Sequence, residues 1–140
     1  MKKIFVGYDG TESSVRALEF ALSTLQGDGA PQSVEVHLAY VVEKLHGIAD
    51  PVPEEVVDSL RRAGEEILSN GARLVRKQLE NPVIHLEFGS PPEKLLELAD
   101  RIIPDLVVIG IAKHHASERI LGTVSALFFR TRRYAVLGVP

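Results

Sequence analysis

The sequence predicts an α/β fold of three layers, a five-stranded and mostly parallel sheet with helices on both faces. Three observations carry that prediction. Short apolar runs bounded by glycine, proline or aspartate recur five times, and between successive runs stands a stretch with apolar residues at helical spacing. The fourth run, DLVVI, is apolar at every position after its first, as a strand covered on both faces must be. Regular alternation of strand and helix in one sheet implies right-handed crossovers and parallel strands.

Each element has its own justification. Lys3 to Tyr8 (KIFVGY) reads as a buried strand that stops at the turn Asp9-Gly10. TESSVRALEFALSTLQ follows with capping hydroxyls at its start and Val15, Leu18, Ala21, Leu22 and Leu25 on one face. GDGAPQ ends that helix, because two glycines and a proline leave no continuous helical backbone. Val34 to Val42 is the second strand, and EKLHGIADPVP an irregular excursion whose prolines prepare the next helix. Glu54 to Glu80 is amphipathic over its whole length, with Gly64 and Gly71 expected to weaken it by about 1 kcal/mol each and to allow a bend. Val83 to Phe88 is the third strand, Ser90-Pro91-Pro92-Glu93 primes a third helix, and Asp105 to Ile109 is the fourth strand. A helix from Ser117 to about Arg132 and the strand YAVLGV complete the chain.

The 140 residues suit a single domain, 1–140, with enough chain to bury a core unaided. There is no cysteine, which removes disulfides, zinc thiolate sites and thiol nucleophiles. A net charge of -3 offers nucleic acid no general attraction. MKKIFVGYDG is no signal peptide and no apolar stretch approaches the roughly 18 residues of a membrane span, so a soluble, cytoplasmic protein is expected.

In a sheet of this kind ligands bind outside the carboxyl ends of the strands, where the connection order reverses. Three loops reach that place: Tyr8-Asp9-Gly10, the stretch after Val41, and the long loop from Gly110 to Thr123. Several familiar sites are absent. A phosphate-accepting receiver needs an acidic cluster after the first strand and an aspartate after the third, but here stand Asp9 alone and EFGSP. Neither G-x-G-x-x-G nor G-x-x-x-x-G-K-[ST] occurs, and no G-x-S-x-G elbow. No paired carboxylates, metal cluster or positioned nucleophile suggest turnover, so ATP hydrolysis is expected at most as a slow side reaction.

VGYDGTESS, AYVVE, EFGSPPEKLLELADRIIPDLVVIG, LGTVSALFF and the terminal YAVLGVP stand in an order that resembles the universal stress protein domain over nearly the whole chain. The resemblance implies a five-stranded fold of the adenine nucleotide alpha hydrolase type and a homodimer formed edge to edge through Ala135 to Val139. It implies further that an adenine nucleotide, ATP or another, is bound with Mg²⁺ accompanying the phosphates. Adenine would lie against Asp9 and the backbone of Val41. Gly110 would flank the ribose, and Gly122 and Thr123 the phosphates, on a loop of the form G-x-x-G-x9-G-[ST]. This sequence departs from that form twice: Lys113 stands at the second glycine, and eight residues instead of nine precede Gly122. Lys113 offers a point charge to a phosphate but not the close backbone approach of glycine. Two functions stay open, a nucleotide-binding stress or signalling module and a dimeric interaction module that acts through protein partners.

The remaining polar residues have plainer readings. His114 and His115 are adjacent and point apart, as in an exposed loop. His37, His46 and His85 read as hydrogen-bonded structural residues. Arg130, Arg132 and Arg133 complement a helix C-terminus rather than form a nucleic-acid patch.

Overall fold

A computed structural model describes residues 3–25, 34–43, 51–111 and 123–140. Its elements are β1 (Lys3–Gly7), α1 (Glu12–Thr24), β2 (Glu35–Glu43), α2 (Glu54–Arg76), β3 (Val83–Gly89), α3 (Pro91–Ile102), β4 (Leu106–Gly110), α4 (Thr123–Thr131) and β5 (Val136–Val139). The five strands lie in the order β3-β2-β1-β4-β5, and every neighbouring pair is parallel. The expected fold class is the observed one.

Alternation along the strands builds two cores from one sheet. Ile4, Val6, Leu38 and Val108 face α1 and α2, meeting Leu18, Leu22, Leu68 and Val75. Phe5, Ala39, Val41, Val107 and Ile109 face the other way, toward Leu95 and Leu98 of α3 and Phe128 of α4. The central strands β1 and β4 bury their middle residues on both faces. That is why DLVVI carries no polar alternation.

Element ends differ from the sequence reading by a few residues, for local reasons. β1 stops at Gly7 and not Tyr8, because Gly10 turns the chain with φ 82° and Thr11 already caps α1. β2 and β4 each reach one residue further, to Glu43 and Gly110, because β3 and β5 run alongside them there. α2 ends at Arg76 instead of Glu80; its last amides are met within the turn, Leu79 N–H donating to Val75 O at 2.9 Å, and Pro82 follows. α4 ends at Thr131, and Arg132 takes a left-handed φ of 56°. Residues 117–122 of the expected last helix lie outside the described residues.

The two glycines of α2 have a packing role. α2 is one uninterrupted helix, and its two glycines, seven residues apart, face the sheet. A methyl at Gly64 would stand 3.2 Å from the Tyr40 ring and 2.8 Å from Leu86. One at Gly71 would stand 2.9 Å from the Tyr8 ring. The glycines are notches in which two tyrosine rings seat. No helix among the described residues is long and apolar enough to cross a membrane.

Candidate functional site

β1 lies between β2 and β4, so the crossover from β1 leads to one side of the sheet and the one from β4 to the other. The carboxyl ends of β1 and β4 therefore diverge into a crevice, the switch point of a doubly wound sheet. A cavity of about 420 Å³ opens there, within the usual range of small-molecule sites. It takes in Asp9, Val41 and Gly110 together, with Ser13, Val124 and Ser125 on its helical walls.

Asp9 follows β1 and is exposed at the mouth. Its Oδ1 accepts from the Thr11 backbone N–H at 3.0 Å and from the Thr11 hydroxyl at 2.6 Å. Thr11 Oγ1 in turn accepts from Ser14 N–H at 3.4 Å as the N-cap of α1. The Asp-Gly turn thus has its ordinary capping role. Among the described residues that brace engages Oδ1 of the carboxylate, and Oδ2 is the oxygen a ligand could reach. The carboxylate also acts on its surroundings: burial first, then Asp9, raises both Tyr8 and Tyr40 above the usual phenol value.

Val41 gains its role from strand register. The ladder between β1 and β2 ends with Gly7 opposite Ala39, Tyr8 N–H donating to Ala39 O at 2.8 Å. Backbone groups of alternate residues point to the same side of a strand. Val41 therefore directs its N–H and C=O toward the side where β1 has already ended, while Tyr40 and Val42 serve β3. The result is a donor and an acceptor side by side at the edge of the cavity.

Gly110 ends β4 against the first turn of α1. A Cβ there would stand 2.5 Å from Ser13 C and 2.6 Å from Ser14 N, so only glycine admits this approach. Its role is thus structural at least as much as ligand-facing, which the motif alone did not reveal. Thr123 begins α4, and Val124 and Ser125 continue the cavity wall. Lys113 and Gly122 lie outside the described residues, as do His46, His114 and His115. Among the described residues no group of three or more His, Asp or Glu side chains is placed to hold a metal ion.

The other polar residues are accounted for elsewhere. His37 Nδ1 lies 3.0 Å from His85 Nε2, the rings stack, and His37 Nε2 lies 2.8 Å from Glu35 Oε1. Burial first, then His37, lowers the His85 pKa. This pair sits toward the amino ends of β2 and β3, away from the cavity, as structural histidines. Arg133 pairs with Asp100 at 3.2 Å, beside the hydrogen bond from the Tyr134 hydroxyl to the same carboxylate. That tie fastens the start of β5 to α3. Burial first and Asp100 second push the Tyr134 phenol up to about 12.

Ser13, Ser14 and Ser125 were not singled out by the sequence as site residues. All three are buried. A signal existed for each: a hydroxyl in the first turn of a helix that follows the carboxyl end of a sheet strand stands where ligands bind.

With this geometry in view, the similarity to known proteins is direct. The family model of the universal stress protein family matches residues 1–130. The universal stress protein Rv1636 of Mycobacterium tuberculosis is 30% identical over 149 aligned positions, covering 97% of this chain and 94% of the relative. Among solved structures, a universal stress protein in complex with cAMP is 25% identical with a TM-score of 0.67, covering 99% of this chain and 97% of the other. A universal stress protein family member from Arabidopsis thaliana with AMP bound superposes with a TM-score of 0.73 at 19% identity, covering 99% and 91%. Strand order, the Asp9 turn, the Gly110 approach and the match over most of its length agree: this chain belongs to the universal stress protein family.

Proposed function

We propose that this universal stress protein binds an adenine nucleotide, ATP or AMP, in the switch-point cavity and acts as a small cytoplasmic stress-response or signalling module. The observation that carries the reading is the open donor–acceptor pair of Val41 beside Asp9. Adenine presents the complementary pair, an acceptor ring nitrogen next to a donor amino group. Val41 N–H and C=O would meet that edge, Asp9 Oδ2 would take a further donor, and Gly110 would flank the ribose. Lys113, Gly122 and Thr123 would contact phosphates, and Mg²⁺ would accompany them to offset their charge. The relatives with cAMP and AMP bound support the same ligand class. Slow incidental hydrolysis is the most turnover this site would give.

Titration calorimetry with ATP and with AMP, each with Mg²⁺, tests the reading. Wild-type protein should bind, and Asp9→Ala should bind roughly tenfold more weakly or worse, the loss expected for one hydrogen bond to a charged acceptor. A protein that releases no adenine nucleotide on denaturation and ignores millimolar ATP and AMP would end the proposal.

Lys113 and the shortened loop favour one other reading, a dimeric interaction module acting through protein partners. If Lys113→Gly creates ATP binding where the wild type has none, that second reading is the right one. In either case we take the protein to pair with a second copy along β5, through Ala135 to Val139, since that edge strand has a neighbour on one side only. Sedimentation velocity showing a monomer at working concentration would exclude the pairing.

A further inference from the structure

We infer that Glu35, His37 and His85 form an acid-sensitive latch on the edge strand β3. The two imidazoles share one hydrogen across the seam between β2 and β3, and full protonation of both opens the amino half of β3. The latch stands apart from the ligand cavity and does not depend on the nucleotide reading.

The geometry carries it. His37 Nδ1 lies 3.0 Å from His85 Nε2, a hydrogen-bond distance, and His37 Nε2 lies 2.8 Å from Glu35 Oε1. A carboxylate only accepts, so His37 Nε2 carries a hydrogen. In neutral His37 that leaves Nδ1 bare, and His85 Nε2–H donates to it. One added proton fits at the far nitrogen, His85 Nδ1, without breaking the chain, and the shared hydrogen can then shift to His37 beside Glu35. A further proton has only the shared gap to enter. It would set two N–H donors face to face where one hydrogen now sits, and place two cations in contact.

The surroundings decide how that conflict is relieved. Alternation with Ala39 and Val41 puts both rings on the α3 face of the sheet, where His37 is 6% exposed and His85 half-buried. Among the described residues, four charged groups face them there. They are Glu35 of β2, Glu87 of β3, Arg101 of α3, which holds Glu87 at 3.2 Å, and Lys3 of β1, which lies opposite Glu35 with Nζ on Ile102 O at 3.1 Å. Glu35 alone is bonded to the pair, so one positive charge is answered and two are not. Burial first, then His37 and Arg101, hold His85 below its ordinary value against the opposing pull of Glu87. β3 borders only β2, and Val83 and Ile84 at its start are 41% and 46% exposed. Such an end opens before the central strands do.

Hydrogen exchange read by NMR, together with the nitrogen shifts of the imidazoles, tests the latch. Near neutral pH both His37 and His85 should carry their hydrogen on Nε2. Protection of the amides that β3 donates to β2 should fall roughly tenfold or more between about pH 7 and about pH 5, relative to those of β1 and β4. His85→Asn, whose side-chain amide still donates to His37, should keep its protection over the same range. Should that variant fail to fold, His37→Asn is read in the same way. An equal fall in the variant would move the cause to other groups and overturn the latch. Constant protection of β3 in the wild type would overturn it as well, as would two fully protonated imidazoles beneath a β3 that stays protected.

Discussion

Gly110→Ala tests how the site is held, because the added methyl has nowhere to go. Its Cβ would stand 2.5 Å from Ser13 C, 2.6 Å from Ser14 N and 2.7 Å from Ser13 O, all backbone atoms of α1. Carbon contacts settle at about 3.5–4.0 Å, so α1 or β4 must retreat by about 1 Å. No rotamer relieves this, and α1 is sealed to the sheet by Ala17, Leu18 and Ala21, each at most 2% exposed. Overpacking of this kind costs about 1–3 kcal/mol. At a compatible backbone, alanine returns about 0.4–1 kcal/mol through the unfolded chain. The upper end applies where backbone meets backbone, so the net loss should be about 2 kcal/mol, or roughly 8 °C in melting temperature for a chain of this size. Gly7→Ala is the control: its nearest atom, Leu95 Cδ1, stands at 3.8 Å, an ordinary contact. Urea melts followed by far-UV circular dichroism compare the two. Equal stability of both variants would refute the close packing of α1 on β4 and, with it, the wall that Ser13 provides.

Two further outcomes follow from the same contacts. Gly71→Ala should destabilise by about 1 kcal/mol, since about 2 kcal/mol of crowding against the Tyr8 ring outweighs about 1 kcal/mol of helix propensity; a stabilised variant would mean that the ring slides aside freely. Because the folded His85 pKa lies below its ordinary 6.5, the folded state takes up fewer protons than the unfolded one as pH falls. Stability should therefore be full above pH 6.5 and decline as pH falls below it, with a shallower slope in His85→Asn; denaturant melts at stepped pH with identical slopes would contradict this.

Sequence periodicity revealed the order and type of the elements because each is long enough to show its period and is bounded by glycine or proline. It did not show the packing role of Gly64 and Gly71, since helix propensity is a property of one element, whereas the Tyr40 ring arrives from β2 and the Tyr8 ring from the residue after β1, both earlier in the chain. It placed Asp9 and Gly110 at the right end of the sheet. It could not give the reason for Gly110, which is the contact with Ser13 some hundred residues earlier. The stretch after Val41 was legible as a candidate loop, but the contact of its backbone with adenine entered only through resemblance. Its open backbone pair depends on β1 stopping at Gly7 while β2 continues to Glu43, a difference in strand length visible only once the register is known.

That difference in length also separates the two ends of the proposed ligand site. Asp9, Val41, Ser13 and Ser125 sit on strand ends and first helical turns, and the sheet and its two cores fix their positions. Lys113 and Gly122 belong to the connecting segment, where a substitution or a lost residue leaves the sheet intact. Departures from the family's glycine pattern therefore fall on the part proposed to contact a phosphate chain, not on the part proposed to receive the base. If the base end is set by strand lengths and the chain end by the loop, ligand preference divides along the molecule. Adenosine and AMP affinities then report the scaffold, and the additional affinity of ATP over AMP reports Lys113 and its neighbours. A loop that contributed nothing would leave ATP and AMP bound equally well; a loop that opposed the longer phosphate chain would leave ATP the weaker ligand.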